Sequence, residues 1–238
     1  MKKLYAVLFA CFLFICTACQ AEVSPFLTED EIPTAAKFLP LPPKPGEEAF
    51  YNDKYRYEWG KTMRNTERGK QAIADAVHTL KYFSQIYSEP FGLEISKENT
   101  PEIYALIERL LATTKLCKDK SKKRIMRKRP YVEFNEPTAV PGDEENLRYN
   151  SSYPSGHTTM GWGIALVLAE INPARQDEII KRGFEYGESR VIVGFHYQSD
   201  VDAARLITST LLNRLHANDE FMTQLQKAKA EFIAKSAE

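Results

Sequence analysis

Apolar residues recur along most of this chain at spacings of three and four, the period of an α-helix that buries one face. The clearest apolar stripe follows Pro101 and consists of Ile103, Leu106, Ile107, Leu110 and Leu111. Comparable stripes lie near residues 65–88, 172–184, 199–217 and 221–232, and a nearly all-apolar run at 161–168 predicts a fully buried helix. Strand-like alternation is scarce. The pattern predicts an all-α, single-domain helical bundle.

Two of these helices carry start signals. Asn99 and Thr100 precede Pro101, and Asn172 precedes Pro173; a capping side chain followed by proline is typical of a helix N-terminus. Ile73, Val77 and Leu80 follow helical periodicity and predict a helix within roughly 65–88, and after Pro173 the pattern predicts that Ile179, Ile180 and Phe184 face inward.

The N-terminus departs from this pattern. Lys2 and Lys3 precede an uncharged apolar run at 4–18, which is shorter than the roughly 20 residues of a membrane span. Such an arrangement is typical of a secretory signal, so we predict a signal peptide at 1–21 and a periplasmic or secreted protein. Lipidation at Cys19 is an alternative, because the residues before Cys19 loosely resemble a lipoprotein cleavage site.

A proline-rich arm follows at 22–50, with six prolines. Proline fixes φ and has no amide hydrogen, so we expect an extended segment without a regular helix. The arm is either a loose N-terminus or is packed over the domain, and packing is favoured by Phe26, Leu27, Phe38 and Leu39. The helical domain is predicted at 51–238.

The composition, with 43% hydrophobic and 27% charged residues, is that of an ordinary globular protein. The 32 Lys and Arg residues balance 32 Asp and Glu residues, and zero net charge argues against a general polyanion binder. Three of the four cysteines lie in the predicted signal peptide. Processing would leave Cys117 alone, which excludes an intrachain disulfide.

Three clusters carry candidate chemistry. Residues 115–130 are strongly basic, which indicates a solvated helix face, a nucleic-acid or membrane patch, or an anion site. Residues 153–157 (Tyr-Pro-Ser-Gly-His) precede the buried helix, where backbone N–H groups form either an anion cradle or an ordinary N-cap. In the third cluster, Arg190 suits phosphate, and Asp200 can fix the tautomer of His196. A salt-bridged arginine and a core histidine would be the alternative.

Together, the clusters fill every fixed position of the pattern K-x6-RP, PSGH and SR-x5-H-x3-D. The matching residues are Lys122, Arg129, Pro130, Pro154, Ser155, Gly156, His157, Ser189, Arg190, His196 and Asp200. The chain thereby resembles the acid phosphatase, lipid phosphatase and vanadium haloperoxidase superfamily, and within it the class A non-specific bacterial acid phosphatases. One departure is Ser151, where the class usually has glycine. We expect little effect, because Ser151 lies outside the family's ligand shell; the stretch at 133–150 is also less familiar.

The resemblance implies a role for each matching residue. His196 is expected to attack phosphorus and Asp200 to orient it, while His157 protonates the leaving alcohol. The phosphate oxygens are expected to be bound by Lys122, Arg129, Ser155, Gly156 and Arg190. Because three fixed cations can neutralise a phosphate ester, neither a metal nor another cofactor is expected. His78 and His216 fall in predicted helices and are assigned no role.

The expected function is hydrolysis of phosphate monoesters, including nucleotides, sugar phosphates and aryl phosphates, through a phosphohistidine and with an acidic to near-neutral optimum. Family members are homo-oligomers, so a homo-oligomer is expected here. No nucleic-acid partner and no membrane span are expected. The alternatives are a vanadate-dependent haloperoxidase, since the same constellation holds vanadate, and a non-catalytic phosphate-binding protein.

Overall fold

The computed structural model describes residues 23–123 and 125–237. The predicted signal peptide and the alternative lipidation site at Cys19 lie outside the described residues. Within those ranges the chain forms no β-strand, and its three 3₁₀ turns are Ala35–Lys37, Pro141–Asp143 and Pro173–Arg175. Its α-helices are α1 (Glu48–Met63), α2 (Glu67–Ala74), α3 (Leu80–Phe91), α4 (Pro101–Lys122), α5 (Pro130–Glu133), α6 (Glu144–Leu147), α7 (Gly156–Ile171), α8 (Gln176–Ile192), α9 (Gln198–Leu215) and α10 (Asp219–Ser236). The all-α class is confirmed.

Helix α7 lies at the centre of the bundle, where it packs against α4, α8, α9 and α10. It contains the apolar run at 161–168, which confirms the predicted buried helix. Two glycines let α7 and α8 approach closely, since a Cβ on Gly161 would overlap the ring of Tyr186, and one on Gly183 would overlap Ala165. This close packing brings the N-terminus of α7 beside the C-terminal part of α8, where the second and third sequence clusters lie.

The prediction of a single helix at 65–88 is wrong, because the helix is interrupted between α2 and α3. Asp75 follows the last residue of α2 and is fully buried, and its carboxylate accepts hydrogen bonds from both terminal nitrogens of Arg182, at 2.5 and 3.2 Å. Thr79 then caps α3 by accepting the Tyr82 N–H at 3.2 Å. Tertiary ion pairing and a local cap thus outweigh the helical period, and Ile73 and Val77 are more than 40% exposed.

The inward orientation predicted for Phe184 is also wrong. Its side chain is 48% exposed on α8, and the guanidinium of Arg205 lies 3.7 Å from the centre of its ring. This cation–π contact stabilises an aromatic side chain at the surface. Helix α8 begins at Gln176, because the residues after Asn172 first form the 3₁₀ turn.

The proline-rich arm packs over the bundle. Phe26 and Leu27 are buried in the main apolar core, whereas Phe38 is 45% exposed. The carbonyl of Pro40 accepts the hydroxyl of Tyr153 at 2.7 Å, so the arm is attached to the loop that precedes α7. The assignment of 22–50 and 51–238 as separate units stays a prediction.

Two further features bear on the membrane and on cysteine chemistry. In the described part of the chain, no helix has the length and apolarity that crossing a membrane requires. Cys117 is a buried free thiol on α4, and burial raises its pKa to about 12. Such a thiol stays protonated near neutral pH and is therefore unreactive.

Candidate active site

The three sequence clusters meet at one cavity of about 400 Å³ between α4, α7 and α8. The basic segment contributes Lys115, Lys118, Lys122 and Arg129 to its walls, and the other two clusters contribute Gly156 and His157, and Arg190 and His196. The remaining walls are formed by His78, Leu111, Ala112, Leu147, Asn150 and Met160. Convergence of cations and imidazoles from three distant parts of the chain favours an anion site over a solvated helix face.

His196 lies in the loop between α8 and α9. Gly194, with φ at 92°, makes the turn after α8 in the left-handed region that glycine favours. The N–H groups of Phe195 and His196 both donate to the carbonyl oxygen of Arg190, at 3.1 and 3.2 Å. The loop is therefore folded back onto the end of α8, which places His196 beside Arg190 in the cavity wall.

The contacts of His196 define its tautomer. Arg129 Nη1 lies 3.1 Å from Nε2, and because a guanidinium can only donate, Nε2 is the acceptor. Nδ1 carries the hydrogen and lies 3.3 Å from Asp200 Oδ2. Burial, together with Arg129 and Lys122, holds the pKa of His196 well below its ordinary value. The ring is therefore neutral, with a lone pair on Nε2.

Asp200 stands behind His196 and does not line the cavity. Its Oδ2 also accepts the hydroxyl of Ser152 at 2.5 Å and the N–H of Tyr197 at 2.9 Å. Its Oδ1 accepts Arg127 Nη1 at 2.6 Å, and the other terminal nitrogen of Arg127 donates to Asp53 at 2.7 Å. Burial would lower the pKa of Arg127, but the two carboxylates outweigh it and raise that pKa. Asp200 is thus fixed from every side.

His157 occupies the first turn of α7. Its Nε2 lies 3.0 Å from the carbonyl oxygen of Ala76, which can only accept, so Nε2 carries a hydrogen and Nδ1 remains for proton exchange. The rings of His78 and His157 are 4.6 Å apart between centroids. Burial, then the charges of Arg190 and His78, hold the pKa of His157 well below its ordinary value.

Of the two residues predicted to form an anion cradle at the start of α7, one lines the cavity and the other lies behind it. Gly156 lines the cavity, and the carbon chain of Lys118 packs directly against it, in the space that a Cβ at residue 156 would occupy. Ser155 is fully buried behind it as the N-cap, and its hydroxyl accepts from the Thr158 hydroxyl at 2.9 Å. The backbone N–H of Ser155 donates to the carbonyl oxygen of Asp200 at 3.0 Å, which ties α7 to α9.

The three predicted phosphate cations differ in their partners. Lys122 Nζ donates to the carbonyl oxygen of Ser151, and Arg129 Nη1 donates to that of Phe195 at 3.1 Å. Arg190 is fully buried, yet none of its three guanidinium nitrogens has a hydrogen-bond partner within the described chain. Burial lowers the pKa of Arg129 and of Arg190 to about 10. The one contact of its charged group among the described residues is with the ring of Phe195, whose centroid lies 4.9 Å from the guanidinium carbon. Burying a guanidinium without hydrogen bonds is costly.

Comparisons with known proteins agree with this geometry. Residues 105–219 match the PAP2 superfamily. A non-specific acid phosphatase of Providencia stuartii is 43% identical over 98% of this chain and 98% of its own. A non-specific acid phosphatase of Salmonella typhimurium is 38% identical over 99% of this chain and 95% of its own.

This chain belongs to the non-specific acid phosphatases of the PAP2 superfamily. An acid phosphatase of Zymomonas mobilis is also similar, at 32% identity over 82% of this chain and 74% of its own. The function predicted from the three clusters is thereby confirmed at the level of acid phosphatase activity.

Several residues around the site of this acid phosphatase were not predicted from the sequence. His78 was placed in a helix, but it lies in the α2–α3 connection and faces His157. Ser152 and Arg127 hold Asp200, although neither has a sequence signal that separates it from its neighbours. His216, by contrast, lies away from the cavity, 2.9 Å from the carboxylate of Glu170.

Ser151, the departure from the class signature, lies outside the cavity as expected. Its hydroxyl nevertheless donates to the carbonyl oxygen of Ile125 at 2.7 Å and accepts the N–H groups of Arg127 and Tyr153, at 3.3 and 3.2 Å. These contacts join the basic segment to the loop before α7. A glycine at this position could not form them.

The charged side chains that line the cavity are all basic. Among the described residues that line it, none is acidic, whereas five are Lys or Arg and three are His. No group of three or more His, Cys, Asp or Glu side chains in the described ranges is arranged to hold a metal ion. The positive charge of the cavity fits the phosphate group that a phosphatase binds.

Proposed function

We propose that this acid phosphatase is exported and hydrolyses phosphate monoesters through a phosphohistidine on His196, using the cations of the cavity instead of a metal ion. One observation carries the proposal. The accepting Nε2 of His196 and the unpaired guanidinium of Arg190 line the same cavity. A nucleophilic lone pair beside an unsatisfied cation is the arrangement that phosphoryl transfer to nitrogen requires.

In the first step, Arg129 Nη1 moves from His196 Nε2 to a phosphate oxygen, and the freed lone pair of Nε2 attacks phosphorus in line as the bond between phosphorus and the ester oxygen breaks. His157 gives its proton to the leaving oxygen, so the alcohol departs neutral. The imidazole of His196 becomes positively charged, and Asp200 stabilises that charge through Nδ1–H. In the second step, His157 removes a proton from water, which attacks phosphorus and releases phosphate and neutral His196.

The non-bridging oxygens of the ester are proposed to replace the present acceptors of the cations. Arg190 gains its missing partner, and Arg129 and Lys122 shift from backbone carbonyl oxygens to phosphate. The N–H of Gly156 adds a backbone donor at the start of α7, where the helix dipole favours an anion. Ser155 supports this donor by capping the same turn.

Substrate binding is proposed to cause His157 to take up the proton that it later gives to the leaving group. Burial, and then nearby positive charges, depress the pKa of His157 in the free protein. A phosphate ester cancels these charges, so the pKa of His157 rises when substrate binds, and the ring takes up a proton. This proton uptake is measurable by calorimetry of sulfate binding in buffers of different ionisation enthalpy, because sulfate is a tetrahedral dianion that does not itself titrate near pH 6. Sulfate binding without net proton uptake near pH 6 would contradict the scheme.

The decisive test compares wild type, His196→Ala and His216→Ala. Wild type and His216→Ala should hydrolyse aryl, sugar and nucleotide phosphates in the presence of EDTA. Phosphohistidine is acid-labile, so the reaction with labelled substrate is quenched with alkali, and both proteins should then carry the label. His196→Ala should show neither label nor turnover. Persistent label in His196→Ala, or loss of wild-type activity with EDTA, would reject the corresponding part of the proposal.

Export and assembly are proposed on separate grounds. The basic and apolar pattern at 1–21 supports a cleaved signal, and the family resemblance supports a homo-oligomer. The intact mass of the exported chain should correspond to a start at residue 22. A lipid-modified N-terminal Cys19 would establish the alternative, and size-exclusion chromatography with light scattering would give the assembly state.

A further inference from the structure

Helix α4 presents three lysines to the cavity, and the proposed mechanism uses one of them. Lys115, Lys118 and Lys122 are three and four residues apart, so they share one face of the helix, and all three line the cavity. With a rise of about 1.5 Å per residue, Lys118 lies about 6 Å and Lys115 about 10 Å along the axis from Lys122. The cations therefore extend beyond the space that a single phosphate group fills.

The other lysines of this basic segment have structural partners. Lys120 Nζ donates to the carbonyl oxygens of Glu29 and Ile32, both at 2.7 Å, and Lys123 pairs with the Glu29 carboxylate at 3.1 Å. These contacts bind the N-terminal arm to α4. Lys115, on the cavity face, is exposed and forms no hydrogen bond or ion pair within the described chain.

Lys118 joins the mouth of the cavity to the phosphate cradle. Its carbon chain packs against Gly156, at a position where any Cβ on residue 156 would overlap it. Its ammonium group lies 2.9 Å from Asp119 Oδ1, which occupies one of its three donors. Two donors remain, and none of the described residues lining the cavity is acidic.

We propose that Lys115 and Lys118 form a second anion subsite, which favours phosphate monoesters that carry another anionic group remote from the scissile phosphate. The proposal rests on the proposed function, because the scissile phosphate must lie between His196 and Lys122. A leaving group one aromatic ring or one sugar in length then extends along α4 towards both lysines. The adjacent phosphate of a simple diphosphate is too close to reach Lys115.

The test uses two substrates of the same shape, 4-carboxyphenyl phosphate and its uncharged amide, 4-carbamoylphenyl phosphate. The measured quantity is the ratio of their kcat/KM values. Lys115→Met and Lys118→Met each retain most of the apolar stem, and each should lower this ratio about two- to fivefold, the range of exposed ion pairs. Lys128→Met is the control, since Lys128 belongs to the same basic segment but lies outside the cavity. It should leave the ratio unchanged.

Further measurements separate a local contact from a general loss of charge. Lys115→Arg should retain the wild-type ratio, and added salt should lower that ratio in wild type. An equal ratio in wild type, Lys115→Met and Lys118→Met would overturn the subsite while hydrolysis itself continued. So would an equal fall in Lys128→Met. Failure of wild type to hydrolyse either ester would overturn the proposed function and the subsite with it.

Discussion

Two groups of polar side chains at the cavity differ in how completely they are paired. Behind His196, Asp200 accepts from Ser152, Tyr197 and Arg127 as well as from the imidazole. In the other group, the His157 side chain has one hydrogen bond, to a backbone carbonyl, and the Arg190 guanidinium has none. Both groups are buried and both contain an arginine, so burial alone does not explain the difference.

The difference separates residues that hold the geometry of the site from residues that are proposed to bind the ligand. Arg127 contacts two carboxylates of its own chain, and its charge is compensated before any substrate arrives. Arg190 has no hydrogen-bond partner among the described residues, only the ring of Phe195, and under the proposed function phosphate supplies its acceptor. We therefore expect the unpaired guanidinium to lower the stability of the free protein, since function and stability often compete in enzymes. The following substitutions test this division.

The largest expected effect on activity is at His157, in the group of side chains with few partners. His157→Ala should lower kcat/KM for an alkyl phosphate by about 10²- to 10⁴-fold, because the poor leaving group loses its proton donor. An activated aryl phosphate such as 4-nitrophenyl phosphate should lose far less. Steady-state rates on the two esters measure the difference. Equal losses on both esters would remove His157 from the role of general acid.

Arg190→Met should affect activity and stability in opposite directions. Loss of one phosphate-binding cation should lower kcat/KM about 10²- to 10³-fold, as for removal of a transition-state donor. Thermal unfolding without ligand should occur at a higher temperature than in wild type, because an unpaired buried charge is removed. Inorganic phosphate should raise the melting temperature of wild type more than that of the variant. A lower melting temperature in the ligand-free variant would show that Arg190 stabilises the free fold, contrary to this expectation.

Arg127→Met should behave in the reverse way and mainly destabilise the fold. It leaves Asp53 and Asp200 buried without their cation, so we expect a loss of about 3–5 kcal/mol in the free energy of unfolding. Denaturant titration gives the value. Combining Arg127→Met with Asp53→Asn should cost less than the sum of the two single changes, because the two residues interact. Strict additivity would show that the pair is not coupled.

The smallest effect is expected at His78, which acts through His157. Burial is the main cause of the low pKa of His157 and the neighbouring His78 a lesser one, so His78→Asn should raise that pKa slightly. A general acid is active when protonated, and the alkaline limb of the kcat/KM profile should therefore move to higher pH. The acidic limb, which reflects the neutral form of His196, should move less. A pH profile identical to wild type would exclude this coupling.

Particular elements show how far the sequence could be interpreted. Pro101 after Thr100 predicted the start of α4, and the unbroken apolar run predicted the central helix α7. Ile73 and Val77 were misplaced because the buried Asp75–Arg182 pair interrupts the helix, and no local pattern shows that pairing. Within the site, the motif residues were identified, but the contacts of Ser152, Arg127 and Asp53 join segments 44 to 146 residues apart. Local periodicity cannot show contacts of that range.

The sequence by itself determined the residue types, their spacing and hence the all-α class and the acid phosphatase family, because helical periodicity and motif spacing are local properties of the chain. The tertiary structure alone decided which cations are paired within the protein and which remain for a ligand. It also decided that Lys115 and Lys118 join Lys122 in the cavity while Lys120 and Lys123 hold the arm. The physical reason is that the energy of a charge depends on its burial and on its partners, and both arise only when distant segments pack together.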